Sequence, residues 1–196
     1  MTTRTILLIV LGLGIIALLY VTLVDGQSGI DTPIDPVRYK QELMDERAKK
    51  DQNFRTGSDS PITNKAQFSG LTYFAPDPAY RVTARLEPFA DKTQKLVVRM
   101  SDGSEEVYEK FAHAVFQLQG ETSRLLIVKA DGEYTVLFQD ATSGKETYGG
   151  GRYLELDSKQ MSDTQVVLDF NAAYNPYCAY NPGYACPLPP PKTNYR

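Results

Sequence analysis

Residues 5–24 read TILLIVLGLGIIALLYVTLV, an unbroken apolar run of 20 residues with no charge inside it. A bilayer core of ~30 Å is crossed by about 20 helical residues rising ~1.5 Å each. The run fits one membrane-spanning helix, which confines the folded remainder to one side of a bilayer. A cleaved leader is the competing reading. Its apolar core is usually ~7–15 residues long and ends in a small-x-small site. Here Tyr20-Val21-Thr22-Leu23-Val24 put bulky side chains where a peptidase takes small ones, although Gly26, Ser28 and Gly29 leave a cut open. The adopted reading is an uncleaved anchor over residues 1–24. Arg4 precedes the run, and Asp25, Asp31 and Asp35 follow it. The positive-inside rule then keeps the N-terminus cytoplasmic and sends the rest across. Gly12 and Gly14 thin one side of the span and are the expected contacts for a neighbouring membrane helix.

About 170 residues remain after the anchor, enough for one domain with its own core. The net charge is −3 with no basic patch, which argues against a nucleic-acid partner. Residues 25–34 read as a polar tether. Residues 35–55 read as a helix, with Asp35 as N-cap and Pro36 in the first helical position. Its apolar residues Val37, Leu43, Met44, Ala48 and Phe54 are sparse, so a mostly solvated helix is expected. Residues 56–171 are β-rich. About eight short strands are expected, with tight turns at Asp102-Gly103 and Asp131-Gly132. No helix long enough for a parallel crossover separates them, so the fold class is mainly β. The expected form is an antiparallel barrel or sandwich with one N-terminal helix. Residues 172–196 form an irregular tail rich in Pro and Tyr.

The tail holds both cysteines, Cys178 and Cys186, around AYNPGYA. An even count in an exported domain favours a disulfide, worth ~2–3 kcal/mol across so short a loop. Free thiols are the next alternative. A metal site would need two more soft ligands, and His113 is the one histidine, so no metal is expected. His113 falls in the 112–118 strand pattern and reads as a half-buried strand residue. No Gly-x-Ser-x-Gly nucleophile elbow exists, so no serine triad can be built on it.

Asp140-Ala141-Thr142-Ser143-Gly144-Lys145-Glu146-Thr147 joins two strand patterns. It reads either as a polar ligand loop or as a turn tied by its own side chains, with Gly144 at positive φ, and the turn is preferred. Gly149-Gly150-Gly151 before Arg152 reads either as a place for close ligand approach, with Arg152 clamping an anion, or as a bend at a strand start. Arg152 pairing with Asp140 or Glu146 is the structural alternative. Tyr174, Tyr177, Tyr180 and Tyr184 crowd together and read as a binding surface, packed either on the domain itself or on a partner, because tyrosine gives large apolar area with a polar handle. Contact with a partner is the reading adopted.

Three stretches resemble one bacterial family: FSGLTYFAPDPAYRV at 68–82, FQDATSGKETYGGGRYLEL at 138–156 and LDFNAAYNPYCAYNPGYACPLPPP at 168–191. They are similar to the domain-of-unknown-function 1684 family, as are KKDQNFR and the following SPI upstream. The resemblance implies a β-rich domain of no established reaction, with a suggested link to flavin-binding split barrels. The family's tail continues Pro-Pro-Pro-Glu-Asn-Arg-Leu-Pro into a last strand. Here Lys192-Thr193-Asn194-Tyr195-Arg196 follows Pro191, so an uncovered sheet edge, or a neighbour covering it, is expected.

Two functions follow as expectations. The first is a non-catalytic accessory subunit, single-pass in the bacterial inner membrane. Its periplasmic β-domain would stabilise a larger membrane complex, respiratory or photosynthetic, and no cofactor is expected. The second is a periplasmic ligand-binding or flavin-type split-barrel enzyme, its pocket drawn from Asp140, Thr142, Arg152, Asp169 and Asn175.

Overall fold

The computed structural model describes residues 34–190. The expected anchor, with Gly12 and Gly14, lies outside the described residues. Among the described residues no helix is long and apolar enough to cross a membrane.

Helix α1 spans Pro36–Thr56. The Asp35 carboxylate accepts from the amides of Val37 and Arg38 at 2.9 and 3.4 Å, which satisfies donors that the first turn cannot pair internally. Seven strands follow: β1 (Arg81–Pro88), β2 (Lys95–Arg99), β3 (Glu105–Leu118), β4 (Glu121–Ala130), β5 (Glu133–Phe138), β6 (Arg152–Leu156) and β7 (Gln165–Asp169). The expected eight become seven because the 105–108 and 112–118 patterns are one strand. Its register shifts between Lys110 and Ala112, a bulge that hid the continuity by breaking the alternation.

All strands belong to one antiparallel sheet in the order β6-β5-β4-β3-β1-β7, with β2 added on β3. A single curled sheet is a half-barrel, so the sandwich alternative does not apply. Two-residue turns drive the curl. Gln119-Gly120 and Asp131-Gly132 both take positive φ, which matches the right-handed strand twist of β3–β4 and β4–β5. Inside the curl lie Leu86, Phe116, Leu125, Ile127, Val136, Phe138, Leu154, Leu156, Val166 and Leu168. Ala84 on β1 and Ala112 and Ala114 on β3 are also fully buried there.

The terminal strands β6 and β7 do not pair with each other. The main chain of Tyr174 pairs with the outer edge of β6, donating to Tyr153 at 3.1 Å and accepting from it at 3.0 Å. The tail also covers part of an edge. Ser101 donates to the Cys186 carbonyl and Leu188 donates to that of Arg99, both at 2.8 Å, at the end of β2. Such pairing satisfies groups that an open edge would leave for another chain.

Candidate functional site

Helix α1 lies over the β6/β7 seam. Leu43, Arg47 and Phe54 are its buried residues, four and seven positions apart, on one face. Arg47 has no carboxylate partner. Its two terminal nitrogens donate to the carbonyls of Phe74 at 2.8 Å and Asn171 at 3.1 Å, and its guanidinium sits 4.9 Å from the Tyr73 ring centroid. Asp51 accepts from the Tyr73 hydroxyl at 2.8 Å and the Leu71 amide at 3.2 Å, and Arg55 donates to the Phe68 carbonyl at 2.8 Å. Three charged residues thus strap segment 68–74 across the helix. The expected, mostly solvated helix fits the exposed Val37 and Met44 but not the buried Arg47. The available signal was that Arg47 falls on the Leu43–Phe54 stripe.

The five candidate pocket residues separate into three places. Asp140, Thr142 and Arg152 form a knot. Arg152 donates to Asp140 at 2.5 Å, and Thr142 bonds Asp140 through its amide at 3.0 Å and its hydroxyl at 2.5 Å. Gly144 takes φ +78°, as a side-chain-tied turn requires. The guanidinium of Arg152 lies 5.7 Å from the Phe74 centroid and 5.2 Å from that of Phe138. Burial raises the Asp140 pKa, but the hydrogen bonds from Thr142 and the charge of Arg152 outweigh it and hold the carboxyl below the ordinary aspartate value. Asp169 forms a second cluster. It caps the Phe170–Ala172 turn and accepts the Tyr39 hydroxyl at 2.9 and 2.8 Å on its two oxygens. Asn175 stands apart from both and accepts the Tyr148 amide at 3.3 Å.

The space along the seam is divided in two. A cavity of about 460 Å³ lies beside the first half of α1, with Tyr39, Glu42, Arg81 and Asp169 on its walls. A larger cleft of about 620 Å³ lies between the second half of α1, β6 and the tail. Tyr153, Tyr174, Tyr177, Tyr180 and Tyr184 wall this cleft, with Lys49, Lys50 and Phe54 of α1 and Glu155 of β6. The four tyrosines expected to meet a partner therefore converge, joined by Tyr153 from the sheet.

Their rings are held edge-on. Phe54 lies 5.6 Å from Tyr177 and 5.3 Å from Tyr180, Tyr184 lies 5.3 Å from Tyr177, and Tyr153 lies 5.8 Å from Tyr174. Tyr153 donates to the Pro187 carbonyl at 2.6 Å, and Tyr174 donates to Glu155. Lys50 places its ammonium 4.1 Å from the Tyr174 centroid. Burial lowers its pKa below the ordinary lysine value, against the opposing charges of Glu155 and Glu46. The sequence marks Lys50 only as an i,i+4 partner for Glu46, a pair that is not within ion-pair distance here, and both Lys50 and Tyr153 touch the tyrosine cluster only through the fold.

Cys178 and Cys186 meet at the end of this cleft as thiols, so the expected disulfide is not formed in the structure. The Cys178 amide donates to the Cys186 sulfur at 3.1 Å, and the intervening loop turns through Gly183, whose amide bonds the Asn181 side chain at 2.9 Å. These hydrogen bonds and the Tyr177–Tyr184 ring contact close the turn. Burial, followed by the hydrogen bond with Cys178, pushes the Cys186 thiol up to about 12, so it stays protonated. His113 lies in mid-strand against Phe89, with ring centroids 4.8 Å apart, and burial and then Arg124 lower its pKa. No group of three or more His, Cys, Asp or Glu that could hold a metal ion occurs among the described residues.

The three stretches that carried the family resemblance meet at this face as strap, knot and tail. A family model described as protein of unknown function (DUF1684) matches residues 66–195. The solution NMR structure of an uncharacterized protein from Haloarcula marismortui is similar at 36% identity and a TM-score of 0.64, over 81% of this chain and 90% of that one. Among curated proteins none matches.

Proposed function

We infer a function from one premise: the chain belongs to the family described as protein of unknown function DUF1684. The chain is a non-catalytic accessory subunit held in the bacterial inner membrane by residues 5–24. Its half-barrel domain docks a neighbouring subunit of a larger membrane complex through the tyrosine-walled face between α1 and the tail. The observation that carries this reading is the convergence of five tyrosines on one cleft beside a helix that begins only a short tether after the apolar run. Tyrosines held by their neighbours offer contact area at low entropic cost, the usual make-up of an interaction surface. The polar residues expected to line a ligand pocket support the same view. Asp140, Thr142 and Arg152 bind one another, and Asp169 binds Tyr39. The test is solubilisation of native membranes in mild detergent followed by native electrophoresis of the full-length chain. It is expected to migrate with companion subunits, and replacing Tyr177 and Tyr180 by Ala is expected to release it. Migration alone at monomer mass overturns the reading.

A further inference from the structure

We propose that the tyrosine-walled cleft is a carboxylate-binding site, in which Lys50 takes the carboxylate and the rings of Tyr174, Tyr177 and Tyr180 hold a flat apolar body. The proposal rests on the reading above that this face is where the chain binds.

Lys50 carries the argument. Its ammonium has three donors, and no acceptor among the described residues lies within hydrogen-bond or ion-pair distance of it. The Tyr174 ring beneath it supplies attraction but no lone pair along an N–H direction. The side chain is half-buried, so burial strips water from the charge without replacing it. An ammonium in that condition, opening into about 620 Å³, lacks one thing, an anionic oxygen. Lys49 and Lys50 line the cleft with no guanidinium fork, and Glu46 and Glu155 share its walls, so it suits a singly charged carboxylate better than a phosphate, which needs several convergent donors.

The rings define the rest of the ligand. Tyr177 and Tyr180 are fixed edge-on to the buried Phe54, so their orientation costs nothing further when a flat group enters. The Tyr177 hydroxyl has no hydrogen-bond partner among the described residues and is a second donor for the ligand. Glu155 and Glu46 also face Lys50. Glu155 is exposed and accepts from Tyr174, so it offsets part of the lysine charge without bonding to it. A competing carboxylate must work against that charge, which gives the proposal a distinctive signature.

The experiment titrates the full-length protein in mild detergent and follows the Lys50 side-chain carbon and nitrogen signals by NMR. The probes are 4-hydroxyphenylacetate and its amide, and a short peptide ending in tyrosine with a free or an amidated terminus. The carboxylates are expected to shift Lys50 saturably and the amides to leave it unmoved. Lys50→Gln is expected to weaken binding about tenfold or more, while Lys40→Gln, exposed on the same helix outside the cleft, changes it less than about threefold. Glu155→Gln, which keeps an acceptor for Tyr174, is expected to tighten it about threefold. Saturation by the free acid alone identifies a small metabolite, and saturation by the peptide alone identifies a polypeptide terminus. Either supports the site. No Lys50 shift with any carboxylate, or undiminished binding by Lys50→Gln, overturns it. No companion subunit enters this assay, so its failure leaves the subunit reading to the electrophoresis experiment.

Discussion

Arg152 and Lys50 are both cations set against aromatic rings on the same side of the half-barrel, yet their surroundings put them to opposite uses. Arg152 lies 5.2 Å from the Phe138 centroid and holds Asp140 at 2.5 Å, with its side chain only 11% exposed. Lys50 lies 4.1 Å from the Tyr174 centroid and, among the described residues, has no carboxylate in ion-pair contact. A carboxylate in reach turns the first cation into a clamp that fixes the 140–147 turn to β6. The lack of one leaves the second with unmet donors facing a cleft. The chemistry of a residue in this fold is therefore decided by whether a counter-ion is built in, not by the residue type or its aromatic neighbours.

The strongest way to break this contrast is to remove each cation. Arg152→Ala leaves Asp140 partly buried without its partner and is expected to cost about 3 kcal/mol or more in urea unfolding. Lys50→Ala, which breaks no ion pair, is expected to change stability by less than about 0.5 kcal/mol. Equal losses would show that Lys50 also serves the fold.

Oxidation sharpens the contrast at the tail. Closing Cys178 to Cys186 with a mild oxidant is expected to raise stability by about 2 kcal/mol and to remove two hydrogens from the intact mass. The melting temperature would rise accordingly. A fall in melting temperature would mean that the thiol geometry resists the bridge.

A smaller effect compares two glycines beside the knot. Gly151 has φ +96°, and a Cβ there would lie 2.6 Å from the Phe138 carbonyl oxygen and from Pro189. Gly144 has φ +78° and open space, its nearest neighbour being the Gly149 Cα at 3.9 Å. Gly151→Ala is expected to cost about 2 kcal/mol and Gly144→Ala about 1 kcal/mol, the difference measuring contact rather than backbone strain.

The smallest effect is in acid. The Asp140 pKa is held below its ordinary value in the folded chain, so the unfolded chain binds the proton first. The stability it contributes is present above the ordinary carboxylate range near ~4 and is lost as pH falls through the lower folded value. Arg152→Gln is expected to flatten that limb of the urea midpoint against pH, whereas Lys50→Gln leaves it unchanged.

Much of the framework was legible from local patterns. Asp35-Pro36 marks the start of α1, and Asp131-Gly132 marks the β4–β5 turn. The 140–147 turn was legible because Asp and Thr side chains reach their own backbone, a short-range event. What escaped was long-range. The bulge at 110–112 hid one strand inside two patterns. Arg47 is inside because the carbonyls of Phe74 and Asn171, 27 and 124 positions away, converge on it. The knot and the Asp169 cluster drew apart because one sits at the β5–β6 connection and the other at the end of β7.

By itself the sequence determined the secondary structure, the antiparallel class and the crowding of tyrosines in the tail, since hydrophobic period, turn chemistry and composition act over a few residues. Only the tertiary structure decided that the tail lies along the β6/β7 seam, that Tyr153 joins the four tail tyrosines, and that Lys50 stands over Tyr174 without a counter-ion. Those are relations between segments that only folding brings together, and the desolvation of a charge exists only once the surfaces that exclude water have met.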